Sequence, residues 1–455
     1  MQPTSSLLEP TGKNDRQPLT IATCSWKFSG LGLGICLRLV DSFLESRHAN
    51  ECLNIIYTTR SPRKGSDTLK TLQAHLRKHH SLSQHKRITF QPENVELTDL
   101  LSIRELVQKL NLSDLTKLDA IICNAGIGGW IGLDWFAAIP AILADIRNAT
   151  VWPFYKLGTI GAVTKPQLPD GSLTQPEPPL GEVFCANLFG HYMLVHWLMP
   201  LLRACESNTP GTIIWVSSVE PQNYHFKSDD LQGLQTDAPY EHGKRLTDLL
   251  ALISNQPATE KATASFTSTE GMKLQRHVRS VPTQYVYQPG VVVTSVISLY
   301  WILQQAYLLG IYLARWAGSP WSTVKPYTAA HGAVWLALAT ENEIRKAEID
   351  AHPGELTNAT AVAKRGRVKW GTAINRAGTT TVRPTEVDHW GLTGSGATFT
   401  SHWWGGKSGL GRKPGAVDAK PEDVKSFVAL GAQAWEDMEQ LRKDWERRIE
   451  ESEQP

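Results

Sequence analysis

The chain has 455 residues and balances 46 lysines and arginines against 44 aspartates and glutamates, so its formal net charge is only +2 at pH 7. Its basic residues are spread out rather than clustered, which argues against a nucleic-acid partner. The length exceeds that of a usual single α/β domain, and one large domain with insertions is as plausible as two. The six cysteines form no C-x-x-C pair and lack histidines at zinc-ligand spacing, so we expect no metal site.

The N-terminal residues 1–18 are a polar tail without the apolar core of a signal peptide. Residues 19–24 then predict a first strand. The stretch Ser29-Gly30-Leu31-Gly32-Leu33-Gly34 predicts a glycine-rich turn that enters a helix. Glycines allow the backbone to approach a pyrophosphate at a helix N-terminus. A glycine-rich turn with no ligand is the alternative.

The second predicted strand runs from Leu53 to Arg60, and its end bears on the cofactor. An acidic residue there would bind the ribose 2′-hydroxyl of NAD, whereas an arginine accommodates the 2′-phosphate of NADP. Arg60 is followed by Arg63 and Lys64, and no carboxylate lies in this stretch. The sequence therefore favours NADPH, although such clusters in loops are often only solvated charge.

A fourth buried strand is predicted to end in Asn124-Ala125-Gly126. The insertion that follows, residues 129–181, is apolar and aromatic in its first part and rich in proline in its second. Such an insertion predicts a lid or a membrane-contacting flap. A packed helix that extends the core is equally consistent with this pattern.

Polar residues then interrupt two apolar elements. The apolar helix predicted from Val183 to Leu202 contains Asn187, which is mildly unfavourable within a helix and therefore indicates a role in a site. Residues 211–216 form a β-branched apolar run that ends in Ser217-Ser218. A buried parallel strand that opens into a site has this pattern.

Tyr240 and Lys244 lie in a stretch with the apolar spacing of a helix, where positions i and i+4 share one face. A free phenol titrates near about 10. We expect the neighbouring ammonium of Lys244 to lower the pKa of Tyr240 towards neutrality, which suits protonation of a reduced carbonyl. The spacing alone arises often by chance on helix surfaces, and the preceding strand and serines strengthen it.

The next predicted strand is closed by Pro289-Gly290 and followed by an uncharged run that is long enough to span a bilayer. Its polar residues and its place after Pro-Gly argue against a simple span. We interpret residues 291–322 as a substrate lid that dips into one leaflet, flanked at the interface by Trp301, Trp316 and Trp321. Residues 351–455 predict an irregular extension that ends in a charged amphipathic helix, either a surface helix or a docking face for a partner.

The glycine-rich turn, the Asn-Ala-Gly strand end, the serine-terminated strand and Tyr240-x-x-x-Lys244 follow one another in a characteristic order. In this the chain resembles the short-chain dehydrogenase/reductase family, and most closely its fungal 3-keto-steroid reductases, over residues 20–345. The resemblance implies an α/β fold with a doubly wound, Rossmann-like parallel sheet over residues 19–350. It also implies one catalytic set: Tyr240, Lys244, Ser218 and Asn187.

The resemblance assigns a role to each member of this set. The tyrosine donates a proton, the lysine holds the nicotinamide ribose, the serine binds the carbonyl, and Asn187 holds a water that passes protons to the lysine. Ser217 is the rival for the serine. The implied cofactor contacts are Ser29, Gly30, Leu31, Gly32, Arg60, Glu96, Asn124, Gly126, Tyr240, Lys244, Pro289, Gly290, Val292 and Thr294.

Within these contacts, Glu96 takes the place of the acidic residue beside the adenine, and Asn124 is mainly structural. The chain departs from the family pattern at Trp26, where the family has the first glycine of the turn. Either the loop is remodelled and cofactor binding is weakened, or this stretch is a local error in the coding sequence.

The function implied by the resemblance is NADPH-dependent reduction of the C3 ketone of a 4-demethylated sterol intermediate in ergosterol biosynthesis. Two alternatives stay open: a reductase of a related polycyclic terpenoid in secondary metabolism, and a non-catalytic membrane scaffold of the sterol C4-demethylation complex. The expected partners are a sterol ketone, a membrane surface and other enzymes of sterol C4 demethylation. The expected location is the cytosolic face of the endoplasmic reticulum membrane or of lipid droplets.

Overall fold

The computed structural model describes residues 19–24, 30–169, 176–203, 210–270, 281–293, 301–350, 367–392, 394 and 411–453. The predicted tail 1–18 and the predicted site residues Ser29 and Thr294 lie outside the described residues, as does Trp26. The side chain of Trp301 is also outside them.

The strands are β1 Leu19–Cys24, β2 Leu53–Thr59, β3 Ile88–Asn94, β4 Ala120–Cys123, β5 Trp130–Leu133, β6 Lys156–Gly158, β7 Thr212–Val216, β8 Thr283–Gln288, β9 Lys369–Ile374 and β10 Thr380–Pro384. The helices are α1 Leu31–Ser46, α2 Pro62–His79, α3 Leu82–His85, α4 Leu100–Asn111, α5 Trp135–Ala144, α6 Ile146–Val151, α7 Glu182–Phe184, α8 Gly190–Trp197, α9 Met199–Leu202, α10 Pro239–Leu252, α11 Glu260–Phe266, α12 Trp301–Trp316, α13 Pro326–Ala329, α14 His331–Leu338, α15 Glu341–Asp350 and α16 Pro421–Glu453. A π-helical turn, Cys185–Phe189, joins α7 to α8.

Eight strands form one sheet in the order β10-β9-β8-β7-β4-β1-β2-β3, and all neighbours pair in parallel except β10 with β9. Successive strand residues face opposite layers: Ile55 packs with α1 and α2, whereas Ile56 packs with α4 and α8. Because both faces of the sheet are covered, the strands are apolar throughout. The predicted doubly wound α/β fold is confirmed.

The order of the strands places a crevice between β1 and β4. From β1 the chain proceeds outwards to β2 and β3, and it then returns to β4 and builds the other half of the sheet. In open α/β sheets, ligands bind beyond the carboxyl ends of the strands at such a reversal. The fold alone therefore locates the site at the carboxyl ends of β1, β4, β7 and β8.

The C-terminal segment differs from the predicted irregular extension. Strand β9 pairs in parallel with β8, and β10 continues the sheet as its antiparallel edge. Helix α16 is amphipathic as predicted, and its apolar side is buried against α10 and α11, with Trp435 and Trp445 each 1% exposed. The strands were missed because β9 finds its partner far away in sequence, and a short run with glycine and threonine has little pattern of its own.

Candidate active site

One cavity collects most of the predicted site residues at the carboxyl ends of β1, β4, β7 and β8. The predicted residues that line it are Gly30, Leu31, Gly32, Asn124, Gly126, Ser218, Tyr240, Lys244, Pro289, Gly290 and Val292. Ser217 also lines it. Arg60, Glu96 and Asn187 are described but are not among the lining residues.

The N-terminus of α1 opens into this cavity through Gly30 and Gly32. Among the described residues, no side chain caps α1 and no acidic residue lies in its first turn. The first N–H groups of a helix have no partner within the helix, and together with the helix dipole they attract an anion. This end of α1 therefore fits a pyrophosphate group.

Asn187 supports the cavity from behind. It lies in the π-helical turn, a type of distortion that is frequent at functional sites. Its Oδ1 accepts from the backbone N–H of Ile127 at 2.6 Å, and its Nδ2 donates to the Ile127 carbonyl at 2.8 Å. A Cβ at Gly126 would lie 2.5 Å from Asn187 Oδ1, so this close approach requires glycine. The side chain thus fixes the segment that follows β4, and its role in a proton relay stays a prediction.

The two candidate serines point in different directions. Ser218 lines the cavity together with Tyr240, and its side chain lies close enough to the phenol to oppose the rise in the pKa of Tyr240. Ser217 Oγ instead donates to Asp248 Oδ1 at 2.6 Å, inside the core. The geometry therefore favours Ser218 over Ser217 as the partner of a substrate carbonyl at Tyr240.

The pKa of Tyr240 differs from the expectation. Burial raises it, the charges of Glu220 and Glu241 raise it further, and the hydrogen bond with Ser218 opposes them. Lys244 does not reach the phenol: its Nζ donates to the Val216 carbonyl at 2.6 Å and lies 5.7 Å from the centroid of the Tyr240 ring. Tyr240 consequently keeps its proton at neutral pH, which is the form that a proton donor needs.

Lys244 belongs to a buried charge network that reaches the C-terminal segment. Burial lowers its pKa to about 8, opposed by Asp248 and reinforced by Lys369. Asp248 Oδ2 accepts from Lys369 Nζ at 2.7 Å, and both side chains are buried. Strand β9 therefore supplies the cation that neutralises the carboxylate beneath the site.

Arg60 has a carboxylate neighbour that the local sequence does not reveal. Its Nη1 lies 3.8 Å from Glu96 Oε2, and each side chain is about one-third exposed. The other oxygen of Glu96 accepts from the Thr98 hydroxyl and backbone N–H. Because β2 and β3 are adjacent, their ends bring the two charges together. The sequence around Arg60 contains no carboxylate, but the fold places Glu96 beside it.

Several lining residues were missed by the sequence analysis. Trp130, Thr150, Pro153 and Lys156 come from the insertion 129–181, Glu220 from the loop after β7, and Tyr307 from α12. An isolated cation within an aromatic insertion was the only signal for Lys156. Both predicted lid segments thus reach the cavity. Trp316 is 55% exposed, but Trp321 is fully buried and donates to the Gly411 carbonyl, so it does not lie at an interface.

No protein-family model matches the chain. The 3-keto-steroid reductase erg27 of Aspergillus fumigatus is 42% identical over 439 residues, which cover 93% of this chain and 94% of that protein. The chain belongs to the 3-keto-steroid reductase family. The 3-keto-steroid reductase of Gibberella zeae is 34% identical over 458 residues, with 92% of each chain covered. Among solved structures, salutaridine reductase from Papaver somniferum has a TM-score of 0.40 at 15% identity and covers 71% of this chain and 96% of that chain.

The different orientations of the two serines generate a prediction. Ser218→Ala removes the hydroxyl that lies beside Tyr240 at the cavity and should lower kcat for ketone reduction by about tenfold or more. Ser217→Ala removes a donor to Asp248 and should mainly lower the free energy of unfolding, by about 1–3 kcal/mol. Steady-state kinetics and urea unfolding of both variants separate these effects. A larger loss of kcat in folded Ser217→Ala than in Ser218→Ala would reverse the assignment.

Proposed function

We propose that the protein reduces the 3-keto group of a 4-demethylated sterol intermediate to the 3-hydroxyl, with NADPH as the hydride donor, in ergosterol biosynthesis. The single observation that carries the proposal is that Tyr240, whose pKa is raised by burial, lines one cavity with Ser218 and Lys244 in a member of the 3-keto-steroid reductase family. A buried phenol that keeps its proton is suited to general-acid catalysis.

The residues around the cavity fit a nicotinamide dinucleotide. The uncapped N-terminus of α1 with Gly30 and Gly32 would hold the pyrophosphate. Lys244 would hold the nicotinamide ribose, and Arg60 would meet a 2′-phosphate at the end of β2. When bound, the nicotinamide supplies a hydride to the carbonyl carbon.

The side chains of the protein would perform the remaining chemistry. Ser218 hydrogen-bonds the ketone oxygen and orients the carbonyl towards Tyr240. The Tyr240 hydroxyl donates its proton to that oxygen as negative charge develops there. Asn187 fixes the segment that follows β4, which keeps Gly126 and Ile127 at the cavity wall. Trp130 and Tyr307 offer aromatic surface for an apolar ring system.

The residues of the cavity also bear on the two alternatives, the terpenoid reductase and the scaffold. A related polycyclic terpenoid ketone would use the same acid and the same apolar walls, so only a substrate comparison separates it from a sterol. The scaffold alternative requires no intact site, and the presence of Ser218, Tyr240 and Lys244 at one cavity supports catalysis over it. Trp26, the position on which the scaffold hypothesis rested, lies outside the described residues.

Tyr240→Phe keeps the aromatic ring and its packing but removes the donated proton. We expect kcat for a 3-keto-sterol to fall by about 10²–10⁴-fold while NADPH still binds. Tyr224→Phe, at a tyrosine that is 61% exposed and does not line the cavity, is the matched control and should retain activity. Ketone reduction by Tyr240→Phe at the wild-type rate would refute Tyr240 as the proton donor, whereas wild type that reduces no ketone would favour the scaffold.

The Arg60–Glu96 pair sets up a test of cofactor preference. Wild type should bind NADPH more tightly than NADH, and Arg60→Ala should lose this preference. Glu96→Gln should increase it, because the carboxylate no longer neutralises Arg60 or repels a 2′-phosphate. Fluorescence titration with both cofactors measures these affinities. Equal affinities of wild type for NADPH and NADH would refute the assignment.

We also propose that the protein docks on one leaflet of the endoplasmic reticulum membrane or of lipid droplets, where it would meet its apolar substrate and other enzymes of sterol C4 demethylation. None of the described helices combines the length and apolar character needed to cross a bilayer. A set of exposed apolar side chains, the apolar rim, supports docking instead. The apolar rim consists of Ile131, Phe136, Ile139, Leu143, Phe154, Leu309, Leu313 and Trp316.

The apolar rim lies next to the cavity. Helices α5 and α12 both contact α6, which provides Thr150 to the cavity wall. Phe136 is 95% exposed and Leu143 is 82% exposed. Large apolar residues grouped in this way favour insertion at the boundary between headgroups and acyl chains.

Charging the apolar rim should release the protein from membranes. We expect Phe136→Asp with Leu143→Asp to abolish co-flotation with phosphatidylcholine vesicles, because buried carboxylates oppose insertion. Leu112→Asp is the control: Leu112 is 83% exposed but follows α4 at the amino-terminal edge of the sheet, opposite the cavity. Wild type that stays out of the vesicle fraction would contradict the proposal.

A further inference from the structure

Three charged side chains form a buried cluster beside Tyr240, and we call Lys156, Glu220 and Glu241 the ion triad. The Lys156 ammonium contacts one carboxylate oxygen of Glu220 and one of Glu241. Lys156 is 5% exposed, Glu241 8% and Glu220 18%. The three come from β6, from the loop after β7 and from the first turn of α10, so the ion triad ties the insertion to the catalytic helix.

The ammonium of Lys156 also faces two aromatic rings. Its Nζ lies 4.2 Å from the centroid of the Trp130 ring and 5.3 Å from that of Tyr240. The two rings meet edge to face with centroids 5.0 Å apart. A cation over an aromatic face is attracted by the negative charge of that face, and more strongly when the cation is desolvated. The ring of Tyr240 is therefore held in place by Trp130 and Lys156, both from the insertion.

The ion triad has two carboxylates for one ammonium. The Lys156 ammonium contacts both carboxylates, so the two acids lie close together and repel each other when both are ionised. Burial and the neighbouring Glu241 raise the pKa of Glu220 to about 7, against the effect of Lys156. The pKa of Glu241 is lowered, because the effect of Lys156 outweighs that of burial. The pair therefore holds one proton until the pH rises to about 7, and the ion triad is neutral while that proton is bound.

We propose that Lys156 is a positioning residue for Tyr240 in the reduction, and that the proton held between Glu220 and Glu241 controls how readily Tyr240 gives up its own proton. The inference rests on the proposed function. No role in the reaction follows for Lys156 and Glu220 from the Tyr-x-x-x-Lys motif, because they reach Tyr240 through the insertion and through the loop after β7.

The sign of the effect follows from charge. Proton donation leaves a negative charge on Tyr240, and an ionised Glu220 nearby disfavours that charge. The reduction should therefore be fastest when Glu220 is protonated and should slow as the pH rises through about 7. Lys244, with a pKa of about 8, titrates next, and its ionisation is common to wild type and to Glu220 variants.

The other groups that face Glu220 stay in one form near neutral pH. Burial raises the pKa of Tyr155, which directly precedes β6, to about 12 and also raises that of Tyr307 on α12. Burial lowers the pKa of His225 to about 4, so it remains neutral. Lys156 keeps its charge, because the two carboxylates raise its pKa against the effect of burial. Glu220 is thus the group of this cluster that changes charge near pH 7.

Glu220→Gln tests whether ionisation of Glu220 controls the rate of the reduction. Glutamine can still donate a hydrogen bond to Glu241, as the protonated carboxyl does, but it cannot ionise. The quantity to measure is the ratio of kcat/KM at about pH 6 to that at about pH 8.5 for ketone reduction, and we expect it to be at least about fivefold smaller in Glu220→Gln than in wild type. An unchanged ratio would overturn the proposal, because a purely structural ion pair would alter stability and leave the shape of the pH profile as it is.

A matched pair of Lys156 variants tests positioning. Lys156→Met removes the charge and should lower kcat by about tenfold or more, with a smaller effect on KM. Lys156→Arg keeps a cation over the rings and should restore most of that loss. Trp152 Nε1 still donates to the Val219 carbonyl in both variants and ties the insertion to the same loop. Equal kcat values for folded Lys156→Met and wild type would refute the positioning role.

A measurement without turnover separates this inference from the proposed function. NMR titration of protein with ¹³C-labelled glutamate side chains should show one carboxyl with a midpoint near 7, absent from Glu220→Gln. If wild type shows this titration but reduces no sterol ketone, the proposed function is refuted, and the inference that Glu220 and Glu241 share one proton is confirmed. If no glutamate titrates near neutrality, the shared proton is refuted whatever the activity.

Discussion

The close approach of Ser218, which follows β7, to Tyr240, in the first turn of α10, defines the catalytic geometry. This approach requires that the strand and the helix keep a fixed offset. That offset is set by the parallel pairing of β7 with β4 and β8 and by the burial of α10 on one face of the sheet. The catalytic geometry is thus a consequence of how the sheet and its helix pack.

Helix α10 is held from behind by the C-terminal segment. Lys369 of β9 pairs with Asp248, Arg245 donates to the Asp388 carbonyl at 3.0 Å, and Trp435 donates to the Leu250 carbonyl at 3.0 Å. A buried carboxylate such as Asp248 would be costly without its cation. The last part of the chain therefore belongs to the catalytic domain, and the apolar face of α16 is buried against that domain.

Local sequence patterns predicted many residues of the site. The spacing of Tyr240 and Lys244, the serines at the end of β7 and the Asn-Ala-Gly end of β4 are short-range signals, and the structure brings these residues to one cavity. The remaining contacts join residues that are distant in the chain. Lys156 and Glu220 are 64 residues apart, and Lys369 and Asp248 are 121 apart. No local pattern encodes such a pairing, because it depends on the order of strands and on the path of the insertion.

The same reason explains the errors about charge. Because Tyr240 and Lys244 share a helix face, Lys244 was expected to lower the pKa of Tyr240. Burial and the charges of Glu220 and Glu241 raise that pKa instead. The sequence near Arg60 contains no carboxylate, but the pairing of β2 with β3 places Glu96 beside it. Electrostatic effects act through space, so a fold is needed before their signs can be assigned.

In this account, a protonated Tyr240 and a bound nicotinamide act on one carbonyl carbon and its oxygen. Mass spectrometry of the product, after incubation of the purified protein with a 3-keto-sterol and NADPH that carries deuterium at the transferable position, measures this directly. The account predicts a 3-hydroxysterol with one deuterium, bonded to C3. Recovery of the unchanged ketone from protein that binds the cofactor would contradict it.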